Sequence, residues 1–190
     1  IYMLPGVYYR DNFVPINYDL LGEDLIIIGI GSVYVTQAQK SLTFTLTTNN
    51  TYKAVRSGVT GVMDKKYTND YGYYKELKYV TSQALCESEA GTYFVNGTNV
   101  FVHLEDNRVP DGDVIVCLKI VTSILSDTGR FYLKNVILSH CNFIVSGTSI
   151  SSTLEVYFEN VTNPYSEDIL TTANGFTFDK FKKCVVKKCK

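Results

Sequence analysis

Apolar and polar positions alternate along much of the chain, and this alternation predicts strands. Residues 154–159, LEVYFE, and residues 130–134, RFYLK, both alternate with a period of two, the period at which successive side chains of a strand point to opposite faces. No segment combines the i, i+3, i+4 apolar spacing of an amphipathic helix with a capping residue. The pattern therefore predicts an all-β protein with at most one short helix.

A phrase of similar residues recurs in the last third of the chain. LKNVILSHC begins at Leu133, FENVTN begins at Phe158, and FKKCVVKKC begins at Phe181. A period of about 20–25 residues built of strands and turns is typical of a β-solenoid, in which each coil pairs its backbone with the next. The repeat predicts that these three residues stack on successive parallel strands.

Superposing the repeats predicts three columns of side chains. They are an outward column of alternating charge (Lys134, Glu159, Lys182), a corner column (Asn135, Asn160, Lys183) and an inward column (Val136, Val161, Cys184). Asparagine suits a corner because it tolerates left-handed backbone geometry and bonds to nearby backbone groups. Asp179 is the misfit, since it falls where the other repeats have Phe131 and Val156.

Differences in the pattern of apolar and polar residues divide the chain into three zones. Residues 1–38 are predicted as the first coil or coils, and residues 113–190 as further coils that continue beyond the chain. Residues 39–112 are predicted as an antiparallel insertion: SLTFTLTTNN alternates like a half-buried strand, and Asn96-Gly97 separates two strand runs as in a hairpin. Both ends of the chain are expected to be cuts in a longer protein.

Several segments resemble one family. PGVYY (residues 5–9), DLIIIG (24–29) and the repeats NVILSHC and NVTNPYS are similar to the right-handed parallel β-helix of pectate-lyase-like proteins. GTYFVNGTNVFVHLEDNRVP (91–110) resembles a small antiparallel insertion found early in such helices. The resemblance implies an all-β, right-handed parallel β-helix with a small antiparallel β insertion.

The same resemblance implies a function. Members of the fold are typically polysaccharide lyases and hydrolases, or bacteriophage tailspikes, which are usually homotrimers that bind host glycans. The expectation is a fragment of a phage tailspike or tail appendage on the virion, homotrimeric at full length, that binds cell-surface polysaccharide. Any depolymerase centre is expected on later coils. The alternatives are a secreted, extracellular bacterial polysaccharide lyase or glycoside hydrolase, and a non-catalytic structural adhesin or virion component.

Candidate sugar-binding residues lie on the outward positions of the repeat. Tyr132 and Tyr157 are expected on the same face, where tyrosine rings with polar tips could form a platform for sugars, and Glu155 adjoins them. Glu155 and Glu159 are separated by about 13 Å of strand, which exceeds the roughly 5–9.5 Å of glycosidase carboxylate pairs. A salt ladder through Lys134 is the simpler interpretation, and no catalytic residue is identified.

The net charge and the cysteines argue against several classes of function. A net charge of −1 gives no field that favours nucleic acid, and no apolar run reaches the roughly 18 residues of a membrane span. The five cysteines fit neither a disulfide framework nor a zinc motif, and buried thiols are expected. No cofactor or metal is expected.

The two histidines and the turn aspartates have ordinary interpretations. His103 is predicted to be a surface residue of a hairpin strand. His140 and Cys141 are adjacent, so their side chains are expected to point apart rather than to form a nucleophile pair. Asp111 and Asp113 are expected to make turn contacts rather than to bind calcium.

Overall fold

The fold is described from a computed structural model. It describes residues 1–9, 17–18, 23–36, 38, 42–118, 122–125, 128–140, 143–146, 154–164, 170–173 and 183–187. The chain is mostly β, as its alternating pattern predicts, and its strands form several sheets. None of the helices within these residues is both long and apolar enough to span a membrane.

The elements follow one another along the chain as nineteen strands and one short helix within the described residues. They are β1 (Tyr2–Met3), β2 (Gly6–Tyr8), β3 (Asn17–Tyr18), β4 (Asp24–Gly29), β5 (Val33–Thr36), β6 (Thr45–Thr48), β7 (Thr51–Val55), β8 (Val59–Thr68), β9 (Tyr74–Glu76), β10 (Lys78–Tyr79), α1 (Gln83–Ser88), β11 (Thr92–Asn96), β12 (Asn99–His103), β13 (Val114–Leu118), β14 (Thr122–Leu125), β15 (Arg130–Ser139), β16 (Phe143–Ser146), β17 (Glu155–Thr162), β18 (Leu170–Ala173) and β19 (Lys183–Lys187).

The chain divides into two compact units. The first, called the parallel unit here, combines Ile1–Gln37 with Ile120–Lys190, and the second, called the inserted unit, is Ala38–Lys119. The sequence zones ended the insertion at residue 112, whereas Val114–Leu118 lies in the inserted unit and is antiparallel to β8. Each unit has its own hydrophobic core.

The parallel unit is built from two parallel sheets. One sheet contains the order β1-β4-β15-β17-β19, and the other has the order β3-β14-β16-β18. From β3 onward, each pass of the chain adds one strand to each of these orders. Leu133 pairs with Phe158 on one side and with Ile27 on the other, so the predicted parallel pairing of the first two repeats is confirmed.

The long strands β15 and β17 turn a corner at asparagine residues. Asn135 and Asn160 have positive φ angles of 54° and 52°. Before its corner β15 buries Leu133, and after it the buried side moves to Val136, because a residue in the left-handed region resets the alternation. The Asn160 Nδ2 donates to Asn135 Oδ1 at 2.9 Å, 25 residues away. The predicted corner position of the two asparagines is confirmed.

Gly29 occupies the same corner one strand earlier. The Asn135 Nδ2 donates to the carbonyl oxygen of Gly29 at 3.3 Å, across 106 residues of sequence. A Cβ atom at Gly29 would lie 2.1 Å from the Asn135 carbonyl oxygen, closer than any real contact. Glycine is therefore required here by the close approach of two backbones, and the asparagine–glycine column runs through three neighbouring strands.

The third repeat pairs in a register that differs from the predicted one. Phe158 pairs with Val186, whereas the repeat placed Phe181 beside it. Cys184 pairs with Val156, so its predicted place in the inward column after the corner is wrong. Phe181 itself lies outside the described residues.

The register of β19 differs from the predicted one at its lysines as well. Lys187 is paired with Glu159, in the place predicted for Lys182, and Lys183 is paired with Glu155 instead of standing at the corner. Because the alternation of β19 is compatible with either register, the sequence pattern alone did not decide between them.

The core of the parallel unit lies on the inward side of its paired strands. The rings of Phe131 and Phe158 pack edge to face with centroids 5.9 Å apart. Fully buried aliphatic residues surround them, including Ile27, Leu133 and Leu154. Each inward residue thus packs both within its strand and against its neighbours in the column, which makes the column the unit of packing.

The described strands of the inserted unit pair antiparallel, with one exception. They form sheets of the orders β10-β11-β12-β7-β6 and β13-β8-β9, and the parallel pair among them is β10 with β11. The predicted hairpin is confirmed as β11–β12, with Asn96 paired to Asn99 around Gly97, whose φ is 58°. Asn49 and Asn50, with φ of 48° and 58°, close a second hairpin between β6 and β7, as a type I′ turn requires.

One expectation for the inserted unit is confirmed in part and another is wrong. The half-buried alternation predicted for SLTFTLTTNN is seen at Leu42 and Phe44, which pack against the core with exposed Thr43 between them, whereas Thr45–Thr48, which form β6, are exposed. His103 was expected at the surface, but it is buried, with Nδ1 2.8 Å from the Cys86 carbonyl oxygen and Nε2 2.8 Å from Asn107 Oδ1. A β-strand histidine with both nitrogens bonded can replace an apolar core residue, since its polar atoms are satisfied.

Candidate functional site

The outward side of β4, β15 and β17 presents an ordered face, called the ladder face here. Its nine positions form three columns across the strands: Asp24, Arg130 and Glu155; Ile26, Tyr132 and Tyr157; and Ile28, Lys134 and Glu159. The positions between them on each strand are inward core residues. The face therefore has an apolar and aromatic central column between two columns that carry charges.

The two tyrosines of the central column are neighbours. Tyr132 and Tyr157 pair directly in register, and their ring centroids are 6.0 Å apart at an interplanar angle of 47°. This confirms that they stack on one face. Ile26, which is 40% exposed, extends the column on the next strand.

Each tyrosine ring is held by a carboxylate. The Tyr132 hydroxyl donates to Glu159 Oε2 at 2.6 Å, and the Tyr157 hydroxyl donates to Glu155 Oε2 at 2.7 Å. The hydrogen bond to Glu159, followed by burial, raises the pKa of Tyr132 above its usual value. Because the hydroxyls are anchored, the orientations of both rings are fixed by contacts within the sheet.

The charged columns pair internally. The Lys134 Nζ lies 3.1 Å from Glu159 Oε1 and Arg130 lies 3.5 Å from Asp24, both between partly exposed groups. The hydrogen bond to Glu159 is the main cause of the raised pKa of Lys134. The predicted Lys134–Glu159 pair is thus confirmed, whereas the predicted third member, Lys182, is replaced in register by Lys187.

The geometry assigns positioning roles to both glutamates. Glu155, expected next to the tyrosines, contacts Tyr157, and Glu159 bridges Tyr132 and Lys134. Each carboxylate holds a ring of the central column. Both glutamates are therefore positioning residues of this face.

The pattern of the first strand was not connected to this face by sequence reasoning. Asp24, Ile26 and Ile28 complete the three columns, although more than 80 residues of inserted unit separate them from β15. Their own alternation was hidden because Leu25, Ile26, Ile27 and Ile28 form one continuous apolar run. The signal that could have found them is the match of DLIII to RFYLK, with an acidic residue opposite a basic one.

A second polar cluster lies in the inserted unit. The Arg108 guanidinium donates two hydrogen bonds to the buried carboxylate of Asp64, at 2.7 and 2.9 Å. Asp106 accepts from Arg108 at 2.9 Å and from Lys66 at 2.6 Å. The hydrogen bond from Lys66 holds the pKa of Asp106 well below its usual range, and the hydrogen bonds that Arg108 donates to Asp64 raise the pKa of Arg108.

This cluster is a structural network rather than a second ladder. Its charged residues come from β8 and from the turn after β12, and Asp64 and Arg108 are 44 residues apart in sequence. No local sequence motif therefore predicts the cluster. A small depression beside it has an empty volume of about 210 Å³ that includes open solvent, and is lined by Asp64, Tyr67, Lys75, Glu76, Leu77, Gly91 and Glu105. The bidentate pair compensates the buried charge of Asp64.

The other reactive residues have local structural contacts. The Asp113 amide donates to Asp111 Oδ1 at 2.9 Å, so the expected turn contact is confirmed. Cys86 and Cys117 are buried free thiols, and burial raises the pKa of Cys86. Cys141 lies outside the described residues, so the predicted arrangement beside His140 stays a prediction. The described residues contain no cluster of three or more metal-ligating side chains.

Comparison with protein-family models, with curated proteins and with solved structures finds no match to this chain.

Proposed function

We propose that the ladder face binds a cell-surface polysaccharide. The observation that carries this proposal is the in-register pair of Tyr132 and Tyr157, continued by Ile26 on the next strand. Apolar and aromatic side chains with polar tips suit the mixed surface of a pyranose ring, which has hydrophobic C–H patches and hydroxyls. A column that repeats at the strand spacing of about 4.8 Å offers one contact after another to a polymer crossing the strands.

The anchored hydroxyls favour binding in a second way. Tyrosine rings whose orientation is fixed by Glu155 and Glu159 lose little conformational freedom when a ligand stacks on them. Preorganisation of this kind reduces the entropy cost of association. The carboxylate oxygens also offer acceptors to sugar hydroxyls at the edges of the rings.

The proposed setting is a right-handed parallel β-helix in a phage tailspike or tail appendage. Parallel pairing of successive passes, the bend at Asn135 and Asn160, and the core columns all support a coiled arrangement. Attachment to the virion tail and trimer formation at full length rest on the family resemblance of the sequence. We assign no catalytic residue to this face.

A glycan array followed by calorimetry tests the proposal. Tyr157→Ala removes one ring of the central column, and we expect a loss of affinity of about tenfold or more, equivalent to about 1.4 kcal/mol. Tyr71→Ala is the matched control, because Tyr71 is 84% exposed and lies in the inserted unit. Equal loss in both variants, or unchanged affinity in Tyr157→Ala, would exclude the ladder face as the binding site.

A purely structural role is the competing function, and the internal pairing of both glutamates favours it. In that case the tyrosines and glutamates stabilise the sheet, and the protein binds no glycan on the array. A reducing-end assay on any bound polysaccharide then separates a binding protein from a lyase or hydrolase, since only an enzyme produces new chain ends.

A further inference from the structure

We infer that the polysaccharide recognised by the ladder face is uncharged, a neutral glycan rather than a uronic-acid or other polyanionic polymer. This inference rests on the proposed function and adds the chemical class of the ligand. It is carried by the arrangement of charges on the two outer columns, which differs from that of a surface built to hold a polyanion.

Cations on the described part of the face are already engaged. Arg130 pairs with Asp24, and Lys134 pairs with Glu159. Carboxylates outnumber cations among these positions, because Glu155 adds a third acidic group and is bonded to Tyr157. A polyanion would have to displace an existing carboxylate from each cation, whereas a neutral chain leaves these pairs intact.

Sign alternates along the first charged column. Asp24, Arg130 and Glu155 follow one another on successive strands. A polymer with the same charge on every sugar, lying across the strands, would meet attraction and repulsion in turn at the strand spacing. Such a column offers little net attraction to a polyanion.

Hydrogen bonding points the same way. The carboxylates of Glu155 and Glu159 flank the tyrosines, and ionised carboxylates only accept hydrogen bonds. The hydroxyls of a neutral sugar can donate to them, while the carboxylate of a uronic acid cannot donate and would face like charge. The face therefore selects for hydroxyl groups beside its aromatic column.

The experiment compares matched polymers that differ only in charge. A panel of bacterial capsular and O-antigen polysaccharides is tested with each acidic member also presented after carboxyl reduction, at 20 and 300 mM salt. We expect the tightest binders to be neutral polymers, tighter binding after carboxyl reduction, and affinity that changes little with salt.

Two other outcomes have distinct meanings. Preference for acidic polymers, with affinity that falls steeply in salt, overturns this inference while leaving the proposed function in place. Absence of binding to every polymer, neutral or acidic, overturns the proposed function and the inference with it.

A charge variant tests the mechanism on the folded protein. Glu159→Gln frees Lys134 from its carboxylate, and we expect affinity for an acidic polymer, relative to its carboxyl-reduced form, to rise about fivefold at low salt. Glu105→Gln is the matched control, because Glu105 also pairs with a lysine, Lys75, at 2.6 Å, but in the inserted unit. An unchanged ratio in Glu159→Gln, with the thermal transition of the wild type retained, contradicts the inference.

Discussion

The parallel unit and the inserted unit use the same strand-forming residues but define their strand pairing in different ways. In the inserted unit, short turns such as Asn49-Asn50 fix which strands pair and in what register. In the parallel unit, side chains that bond across the described strands lie 25 or even 106 residues apart, which is beyond the reach of a two-residue turn. There, columns of matching side chains across the strands supply the specificity.

This difference predicts where each unit is most sensitive to mutation. Around its hydrophobic core, the inserted unit has two sensitive features: the buried pair of Asp64 with Arg108, and its tight turns. The parallel unit depends on its corner column, where backbones approach closely. The following changes test the contrast, from the largest expected effect to the smallest.

Arg108→Ala should be the most damaging substitution. It leaves the buried carboxylate of Asp64 without its bidentate partner, and breaking such a pair costs about 3–5 kcal/mol. Arg130→Ala is the control in the parallel unit, because its pair with Asp24 is about half exposed; exposed pairs contribute about 0–1 kcal/mol. Chemical denaturation measures both, and similar losses would show that the Asp64 pair has no special role.

Gly29→Ala should destabilise the parallel unit by about 3 kcal/mol, because its Cβ would meet the Asn135 carbonyl oxygen at 2.1 Å and the backbones must separate. Gly112→Ala is the matched control, since a Cβ there meets no atom within 4 Å, and it should change stability by less than about 0.5 kcal/mol. The midpoint of urea unfolding, read by a probe in each unit, checks the result. Wild-type stability of Gly29→Ala would contradict the close approach.

Alkaline pH should weaken the inserted unit through Tyr93. Burial is the main cause that raises the pKa of Tyr93 to about 12 from 10.0. Below pH 10 the hydroxyl is neutral in both states, so its contribution is intact. Between pH 10 and 12 the unfolded state ionises first, and stability should fall by about 2 kcal/mol.

Tyr93→Phe removes this titration and should flatten the pH dependence between pH 10 and 12, although it also removes a 3.3 Å hydrogen bond to the Thr60 carbonyl oxygen. Denaturation at closely spaced pH values provides the comparison. The same slope in both proteins would assign the alkaline loss to other groups.

Asn135→Gly should have a small effect on stability. It distinguishes two roles of an asparagine in the left-handed region: adopting the positive φ angle and forming side-chain hydrogen bonds. Glycine adopts the positive φ readily, so the change removes only the side-chain bonds to Asn160 and Gly29, worth about 1 kcal/mol in total. Asn50→Gly, in the type I′ turn of the inserted unit, should change stability by less than about 0.5 kcal/mol. Thermal unfolding of both variants measures the difference. Equal effects would mean that the hydrogen bonds of the Asn135 side chain contribute nothing to the stability of the protein.

Much of the fold could be predicted from the sequence where a recurring segment or a turn motif links strands that are close in the chain. The shared phrase around Leu133 and Phe158 gave the correct parallel register, and Asn96-Gly97 marked a real hairpin. The third repeat was misplaced because alternation with a period of two is satisfied by several registers. The correct register follows from which residues of β17 and β19 pair, and the period alone does not specify that pairing.

The candidate site was partly readable for the same reason. Tyr132, Tyr157 and Glu155 occupy outward positions of adjacent repeats, so periodicity placed them together. Ile26 lies before the inserted unit and could be placed only after the pairing of β4 with β15 was known. The buried contact of Asp64 with Arg108 and the burial of His103 depend on tertiary packing, which local patterns do not encode.

The alternating column of Asp24, Arg130 and Glu155 also constrains the order in which strands assemble. If β17 docked directly on β4 and skipped β15, Glu155 would stand opposite Asp24, and two carboxylates would repel. With β15 between them, each carboxylate instead has the arginine as its neighbour in the column. The alternating charges therefore favour the strand order β4-β15-β17 over direct pairing of β17 with β4. This preference matters because the whole inserted unit separates β4 from β15 in the sequence.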